Sequence, residues 1–424
     1  MTRFRPRVVA AVLTLAVLAA GCSGLPGEPD PTSLPGPAQP DAQPSPAPSS
    51  ASPGEPTTSA TPTARPTPTA RPTPEPTPEP TPGEPDLSLV DGWTLEEKVG
   101  QILMVGLPVA GPFQPTFDML RDSQIGGVFL HGRTKAGRQP VKNLVDAAVD
   151  AAAREREPLF VATDQEGGAV QVLRGPGFSD IPSALDQATL GATDLRERSA
   201  VWGDELVAAG VNLNLAPVLD LVPQAAASLN APIGFFGRNY GYTARSVITH
   251  GNAFAQGQRD AGVQTSIKHF PGLGRVAGNT DDTAGVTDEV TGPDAASVAV
   301  FQAGIEAGSG LVMMSSAIYS RIDPDTPAVF SPTVVGMVRE LGFDGVIISD
   351  DLSAAVQVAS VPPGERAVRA VDAGVDLVLA SAQPSVAPAM VDALISTARD
   401  DPDFAAKVDA AAARVVAAKT RLPK

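Results

Sequence analysis

Short apolar runs recur at regular intervals along residues 87–424, and each is followed by polar or glycine-rich residues. A continuous apolar run of this length, rich in Val, Ile and Leu, predicts a β-strand that is buried on both faces. Eight such strands are predicted. They cover residues 101–107, 126–130, 159–164, 211–217, 265–270, 311–316, 346–350 and 375–379.

Alanine-rich segments with helical spacing of their apolar residues separate these strands, for example residues 141–154, 196–209, 244–261, 295–307 and 365–373. Alternation of strand and helix predicts an α/β fold with a parallel sheet and outer helices. A count of eight favours closure into a (β/α)8 TIM-type barrel. The alternative is an open, doubly wound sheet, which typically carries a G-x-G-x-x-G turn after its first strand. The chain has Gly-Leu-Pro-Val-Ala-Gly there and lacks that spacing.

Polar side chains stand at the predicted carboxyl ends of several strands. Gly-Val-Ile-Ile-Ser runs directly into Asp350 and Asp351, another run ends in Asp164, and a third ends in Lys268 and His269. In a TIM barrel this end of the strands carries the active site. Side chains alternate along a strand, so only one of the two adjacent aspartates is expected to face the barrel axis.

The first 86 residues differ in composition from the rest. Three arginines precede an apolar run at residues 8–20, which predicts a secretory signal over residues 1–21 that is too short for a membrane span. Residues 22–86 are rich in Pro, Thr, Ser and Ala and are predicted to be a disordered tether. Residues 87–424 are then the barrel domain. Cys22 is the only cysteine, so no intramolecular disulfide can form.

The formal charge of the chain is −16, and it falls to about −19 when the three signal arginines are removed. An acidic surface lacks the clustered Lys and Arg side chains that neutralise phosphates and release their counterions. Nucleic acid is therefore not expected as a partner.

Four ordered motifs resemble those of family 3 glycoside hydrolases. They are the Trp-Thr-Leu-Glu-Glu-Lys-Val-Gly-Gln segment at 93–101, Asp-Gln-Glu-Gly-Gly at 164–168, Lys-His-Phe-Pro-Gly at 268–272 and Ser-Asp-Asp-Leu at 349–352. Within the family the chain is most similar to the single-domain β-N-acetylglucosaminidase (β-hexosaminidase) lipoproteins of actinobacteria. Ala-Ala-Gly-Cys at 19–22 resembles a bacterial lipobox, which implies a lipid on Cys22 and attachment to the outer face of the cell membrane.

The resemblance implies a monomeric, retaining exo-glycosidase that removes terminal β-linked N-acetylhexosamine from cell-wall-type glycans during peptidoglycan turnover. It requires a carbohydrate substrate but no metal and no organic cofactor. Asp350 matches the family's catalytic nucleophile, and its alternative role is to cap a helix in the segment that follows. Asp164, Arg238, Lys268 and His269 match substrate-binding positions.

One departure from the family pattern concerns the proton donor. The glucosaminidase branch carries Asp-x-His in the loop after Lys-His-Phe-Pro-Gly, whereas this chain has Asn279, Thr280 and Asp281 there. We therefore predict that Asp281, with a raised pKa, is the acid/base. Two alternatives are that Glu166 is the acid, or that Asp281 and Asp282 are solvated loop charges.

Other polar positions of that branch are replaced by Ala169, Leu273 and Ser316, which weakens the implied preference for N-acetylglucosamine. The sequence therefore leaves two further functions open. One is a family 3 hydrolase of β-glucosides. The other is a catalytically degenerate lipoprotein that only binds sugars. The distance between the two carboxyl groups distinguishes the stereochemical outcomes, since about 5–5.5 Å fits retention and about 6.5–9.5 Å fits inversion.

Overall fold

The computed structural model describes residues 83–152 and 157–422. The predicted signal, Cys22 and nearly all of the tether lie outside these residues, as does the end of the helix predicted over 141–154. Within the two described ranges, we find no helix that combines the length and the hydropathy needed to cross a membrane.

Eight parallel strands close into a barrel, which confirms the predicted (β/α)8 architecture and each of the eight predicted strands. Going around the barrel, each strand pairs with its sequence neighbours, and β1 pairs with both β2 and β8. The strands are β1 (Leu103–Pro108), β2 (Gly127–His131), β3 (Phe160–Thr163), β4 (Leu213–Asn214), β5 (Gln264–Phe270), β6 (Leu311–Met314), β7 (Val346–Asp351) and β8 (Leu377–Ala380).

Helices surround the barrel, and all five helices predicted above are present as α3, α5, α6, α7 and α9 in the numbering that follows. The α-helices are α1 (Leu95–Gln101), α2 (Gln114–Asp122), α3 (Arg138–Ala152), α4 (Ala184–Gln187), α5 (Ala192–Val207), α6 (Ala244–Asp260), α7 (Ala296–Glu306), α8 (Pro332–Glu340), α9 (Pro363–Ala373), α10 (Ala387–Asp400) and α11 (Pro402–Lys419).

The loops outside the barrel contain short strands and 3-10 helices. Gln165–Gly167 pairs with Val170–Gln171, and a small sheet combines Thr287–Asp288, Ile318–Tyr319 and Asp323–Pro327. The 3-10 helices are Leu87–Val90, Gln224–Leu229, Gly234–Phe236, Ala328–Phe330, Val356–Val358 and Pro384–Val386.

Alternate strand residues separate the core into two layers, as the pleat of a strand requires. Outward-facing residues such as Val105, Val161 and Val312 pack with the helices. Inward-facing residues form a distinct apolar cluster in the barrel, together with Val415, Ala418 and Leu422 from the C-terminal end of the chain. The inward set is Met104, Phe129, Phe160, Ala162, Leu213, Leu215, Leu311, Met313, Val346, Ile348, Leu377 and Leu379.

The amino ends of the strands are closed by the end of α11. The ammonium of Lys419 lies 2.6 Å from Oε1 of Gln101 and 5.3 Å from the ring centre of Phe160. This end of the barrel is therefore filled by side chains, and in barrels of this type the active site lies at the opposite, carboxyl ends of the strands.

Candidate active site

A cavity of about 340 Å³ lies at the carboxyl ends of the barrel strands. All six predicted catalytic and substrate-binding residues line it, although they come from five separate parts of the chain. They are Asp164, Arg238, Lys268, His269, Asp281 and Asp350. The residues named from the strand-end pattern and the family motifs therefore lie together at one cavity.

Asp350 and Asp351 at the end of β7 have different environments. The Asp351 carboxylate accepts hydrogen bonds from the backbone N–H groups of Ser353, Ala354 and Ser381. Asp350 is only partly buried, lines the cavity and forms no ion pair within the described ranges. Capping of the following turn is thus the role of Asp351, and the carboxylate of Asp350 stays available to a substrate.

Two buried cations and two carboxylates form a network on the opposite wall of the cavity. Nζ of Lys268 lies 2.6 Å from Oδ1 of Asp164 and 2.7 Å from Oε1 of Glu166. The guanidinium of Arg238 donates two hydrogen bonds to Glu166, at 2.8 and 2.7 Å. Burial by itself would lower the pKa of Lys268, but Asp164 and Glu166 outweigh it and raise the pKa.

The structure gives Glu166 a different role from the proton donor considered above, because both of its carboxylate oxygens bind cations. Its side chain is almost completely buried. Burial alone would raise the pKa of Glu166, but the charges of Arg238 and Lys268 outweigh burial and lower the pKa to about 2. A carboxyl group with this pKa stays ionised at neutral pH and serves to hold the two cations at the cavity wall.

Two glycines allow the loop that carries Asp164 and Glu166 to turn tightly. Gly167 and Gly168 have φ angles of 108° and 54°. A Cβ on Gly167 would lie 2.1 Å from the carbonyl oxygen of Pro182. Both the left-handed backbone and the close approach require glycine.

His269 is held by an aspartate that the sequence analysis did not identify. Nδ1 of His269 lies 2.8 Å from Oδ2 of Asp220, which is fully buried. Asp220 also accepts from the backbone N–H groups of His269 and Leu273. The available signal was weak, because Asp220 follows a predicted strand by several residues instead of ending it.

The loop that carries Asp281 is tied to the segment after β7. The N–H groups of Val356 and Gln357 donate to the carbonyl oxygens of Asp281 and Thr280, at 3.2 and 3.1 Å. These two bonds keep Asp281 at the mouth of the cavity that contains Asp350.

The pKa of Asp281 is raised to about 6, first by desolvation at the cavity wall and then by the negative charge of Asp350. His269 opposes this rise. The residue remains exposed to solvent, so its carboxyl is only partly shielded. The two carboxyl groups thus differ in environment, since burial and charge raise the pKa of Asp281 while Asp350 forms no ion pair among the described residues.

The other departures from the family pattern also have structural consequences. Leu273 places an apolar side chain on the cavity wall. Ser316 is fully buried, and its hydroxyl has no hydrogen-bond partner within the described residues. The backbone carbonyl of Ala169 accepts from Arg133. Leu273 thus replaces a polar contact at the cavity, whereas Ser316 supplies a buried hydroxyl with no partner.

Glu166→Gln should destabilise the protein and weaken catalysis together. An amide cannot neutralise Lys268 and Arg238, and breaking a buried ion pair costs about 3 kcal/mol. Since the pKa of Glu166 is lowered from 4.5 to about 2, its stabilisation is complete above pH 4.5 and is lost as the pH falls towards 2. Urea unfolding at pH 7 and pH 3 should therefore show a difference between variant and parent that shrinks at the lower pH.

Glu197→Gln is the matched control, because Glu197 is exposed on α5. It should change the free energy of unfolding by less than about 0.5 kcal/mol. Equal stability of Glu166→Gln and Glu197→Gln would contradict the role given to the buried network.

Comparison with known proteins identifies similar proteins along most of the chain. A family model described as the glycosyl hydrolase family 3 N terminal domain matches residues 94–418. A β-hexosaminidase of Stenotrophomonas maltophilia is 38% identical over 275 residues, which cover 62% of this chain and 78% of that protein.

Solved structures are similar in fold as well as in sequence. The crystal structure of a β-N-acetylhexosaminidase from Beutenbergia cavernae has a TM-score of 0.76 and 54% identity, with 77% of this chain and 98% of that chain covered. A family 3 β-N-acetylglucosaminidase from a Paenibacillus species has a TM-score of 0.70 and 30% identity, with 78% and 63% covered.

Proposed function

This chain belongs to glycoside hydrolase family 3, and we propose that it is a retaining exo-β-N-acetylhexosaminidase that removes terminal N-acetylglucosamine from cell-wall-type glycans. The observation that carries the proposal is the pairing of Asp350 and Asp281 in one cavity. Asp350 binds no cation among the residues that the structure describes, and the pKa of Asp281 is raised to about 6. The names of the two relatives at 38% and 54% identity support the choice of sugar.

In the first step, a carboxylate oxygen of Asp350 forms a bond to the anomeric carbon while the bond to the leaving oxygen breaks. The proton on Asp281 passes to that leaving oxygen. In the second step, Asp281 accepts a proton from water, the water oxygen bonds to the anomeric carbon, and Asp350 is released. Each step inverts the anomeric centre, so the net result is retention.

The sugar is held by the opposite wall of the cavity. Asp164 keeps part of its surface open to the cavity although Lys268 binds one of its oxygens, so it can also accept from sugar hydroxyls. Arg238 and His269 also line the cavity, and their side chains carry the nitrogen atoms that could contact sugar hydroxyls. Because the carboxylate of Glu166 forms ion pairs with Arg238 and Lys268, it supports this wall without contacting the sugar.

We place the enzyme outside the cell, tethered to the membrane and acting as a monomer. The lipobox-like sequence before Cys22 supports a lipid anchor, and the proline-rich residues 22–86 support a tether that separates the barrel from the membrane.

Labelling with a radioactive fatty acid, compared between the parent and Cys22→Ala, tests the anchor directly. Equal labelling of the two proteins would show that Cys22 does not carry the lipid.

A substrate panel tests the activity. We expect the protein to hydrolyse a chromogenic β-N-acetylglucosaminide at a kcat/KM at least about tenfold above that for the matching β-glucoside, a difference of about 1.4 kcal/mol in transition-state binding. Proton NMR of the fresh product should show the β anomer first. Preference for the glucoside would favour the alternative hydrolase, and binding of chitooligosaccharides without turnover would favour the sugar-binding protein.

A further inference from the structure

The Asp220–His269 pair is built into the barrel wall by backbone contacts. The N–H of Leu219 donates to the carbonyl of Lys268 at 2.8 Å, and the N–H of Lys268 donates to the carbonyl of Pro217 at 3.2 Å. These bonds fix the segment that ends in Asp220 alongside β5. The carboxylate is therefore held in place before any substrate enters.

The two oxygens of Asp220 have different partners. Oδ1 accepts from two backbone N–H groups, those of His269 at 3.2 Å and Leu273 at 2.7 Å. Oδ2 faces Nδ1 of His269 at 2.8 Å. A carboxylate only accepts hydrogen bonds, so the proton between Oδ2 and Nδ1 belongs to the histidine. In the neutral ring, Nε2 then carries the lone pair.

Nε2 is the ring nitrogen that remains for the cavity. His269 lines the cavity, and its other nitrogen is occupied by Asp220. Asp220 holds one side of the ring, and Lys268 is its neighbour in the chain. Asp281 lines the same cavity and is close enough for His269 to lower its pKa.

We propose that Asp220 is a positioning residue that fixes the tautomer of His269, so that Nδ1 is protonated and Nε2 is presented as a hydrogen-bond acceptor to a hydroxyl of the sugar beside Asp281. The assignment of the sugar to this nitrogen rests on the proposed function, whereas the tautomer rests on the geometry alone. Fixing the tautomer of a histidine through a buried carboxylate is a known way to set what its other nitrogen can do.

Asp220→Asn reverses this arrangement while keeping the shape of the side chain. The amide oxygen must face the two backbone N–H groups, because an amide NH₂ cannot accept from them. The NH₂ group then faces Nδ1, which must become an acceptor, and the proton of the neutral ring moves to Nε2. The cavity thus receives a donor in place of an acceptor, with the backbone contacts preserved.

The tautomer can be measured without any activity. The chain has three histidines, so ¹⁵N-histidine labelling of the whole protein yields three ring systems in a long-range proton–nitrogen spectrum. His269→Gln identifies one of them by its loss. At a pH well above the ordinary histidine range, we expect the Nδ1–H tautomer in the parent and the Nε2–H tautomer in Asp220→Asn. An Nε2–H tautomer in the parent, or an unchanged tautomer in the variant, overturns the inference.

Kinetics then test whether Asp220 acts through His269. We expect Asp220→Asn to lower kcat/KM about 10- to 100-fold, by analogy with carboxylates that orient metal-binding histidines. In the His269→Gln background the same change should have an effect of less than about twofold, since residues that act through one another are not additive. Full additivity would mean that Asp220 is only structural.

Asp288→Asn is the matched control. Asp288 is also buried and accepts from two backbone N–H groups and one side chain, but it contacts no histidine and does not line the cavity. It should leave the tautomer and kcat/KM unchanged. If the parent does not hydrolyse the N-acetylglucosaminide at all, the proposed function fails, while the spectrum still decides the role of Asp220.

Discussion

Asp350→Asn is expected to lower kcat on every β-glycoside substrate on the order of 10⁴-fold or more, the scale seen when a catalytic nucleophile is removed. A neutral amide oxygen is a poor nucleophile and cannot form the covalent glycosyl intermediate. Since Asp350 forms no ion pair among the described residues and is partly exposed, the fold should be unaffected. Steady-state rates with a chromogenic N-acetylglucosaminide measure the loss, and thermal unfolding checks the structure.

Chemical rescue separates loss of the nucleophile from general damage. In Asp350→Ala, azide can enter the space of the missing carboxylate and attack the anomeric carbon from the same face, yielding an α-glycosyl azide. Asp282→Asn, a change to an exposed aspartate of the neighbouring loop that does not line the cavity, is the control and should keep parental activity. Unchanged turnover in Asp350→Asn would remove this residue from the mechanism.

Asp281→Ala should give the second largest effect, and its size should depend on the leaving group. A poor leaving group needs the proton, so its kcat/KM should fall about 10²- to 10⁴-fold, the usual contribution of general acid catalysis. An activated phenolate leaves unaided and should lose little in the first step. We would measure kcat/KM for a series of aryl N-acetylglucosaminides. The dependence of kcat/KM on the pKa of the leaving group should be steeper in Asp281→Ala than in the parent.

The pH profile provides a second readout for Asp281. Its pKa is raised to about 6, so the proton is present below that pH and is lost as the pH rises through it. For a poor leaving group, kcat/KM of the parent should therefore decline about tenfold per pH unit above 6. This limb should be absent from Asp281→Ala and retained in the Asp282→Ala control. A limb that survives in Asp281→Ala would assign the proton to another group.

Some site residues could be identified from the sequence alone, whereas the roles of others depend on partners that are distant in the chain. Asp164, Lys268 and Asp350 end buried apolar runs, and parallel strands bring such ends together at one rim of a barrel. Their convergence could thus be inferred from the order of residues. The role of Glu166 could not, because it depends on Arg238, which lies 72 positions away and donates two hydrogen bonds to it.

Asp281 is an intermediate case. The loop position and the absence of a histidine were visible in the sequence, but an aspartate in a loop is usually a solvated charge. Its pKa is raised first by desolvation at the cavity wall and then by the charge of Asp350. Both depend on the position of the loop, which two backbone hydrogen bonds from Val356 and Gln357 hold in place.

The sequence by itself determined the eight-stranded α/β barrel and the polar residues that meet at one rim of it. Strand periodicity and buried apolar runs are local properties of the chain, and closure follows from their number. Only the tertiary structure decided that Glu166 binds two cations, that burial and Asp350 raise the pKa of Asp281, and that Nδ1 of His269 faces Asp220. Those properties depend on charges and donors within a few ångströms that belong to distant parts of the chain, as Asp220 and His269 do.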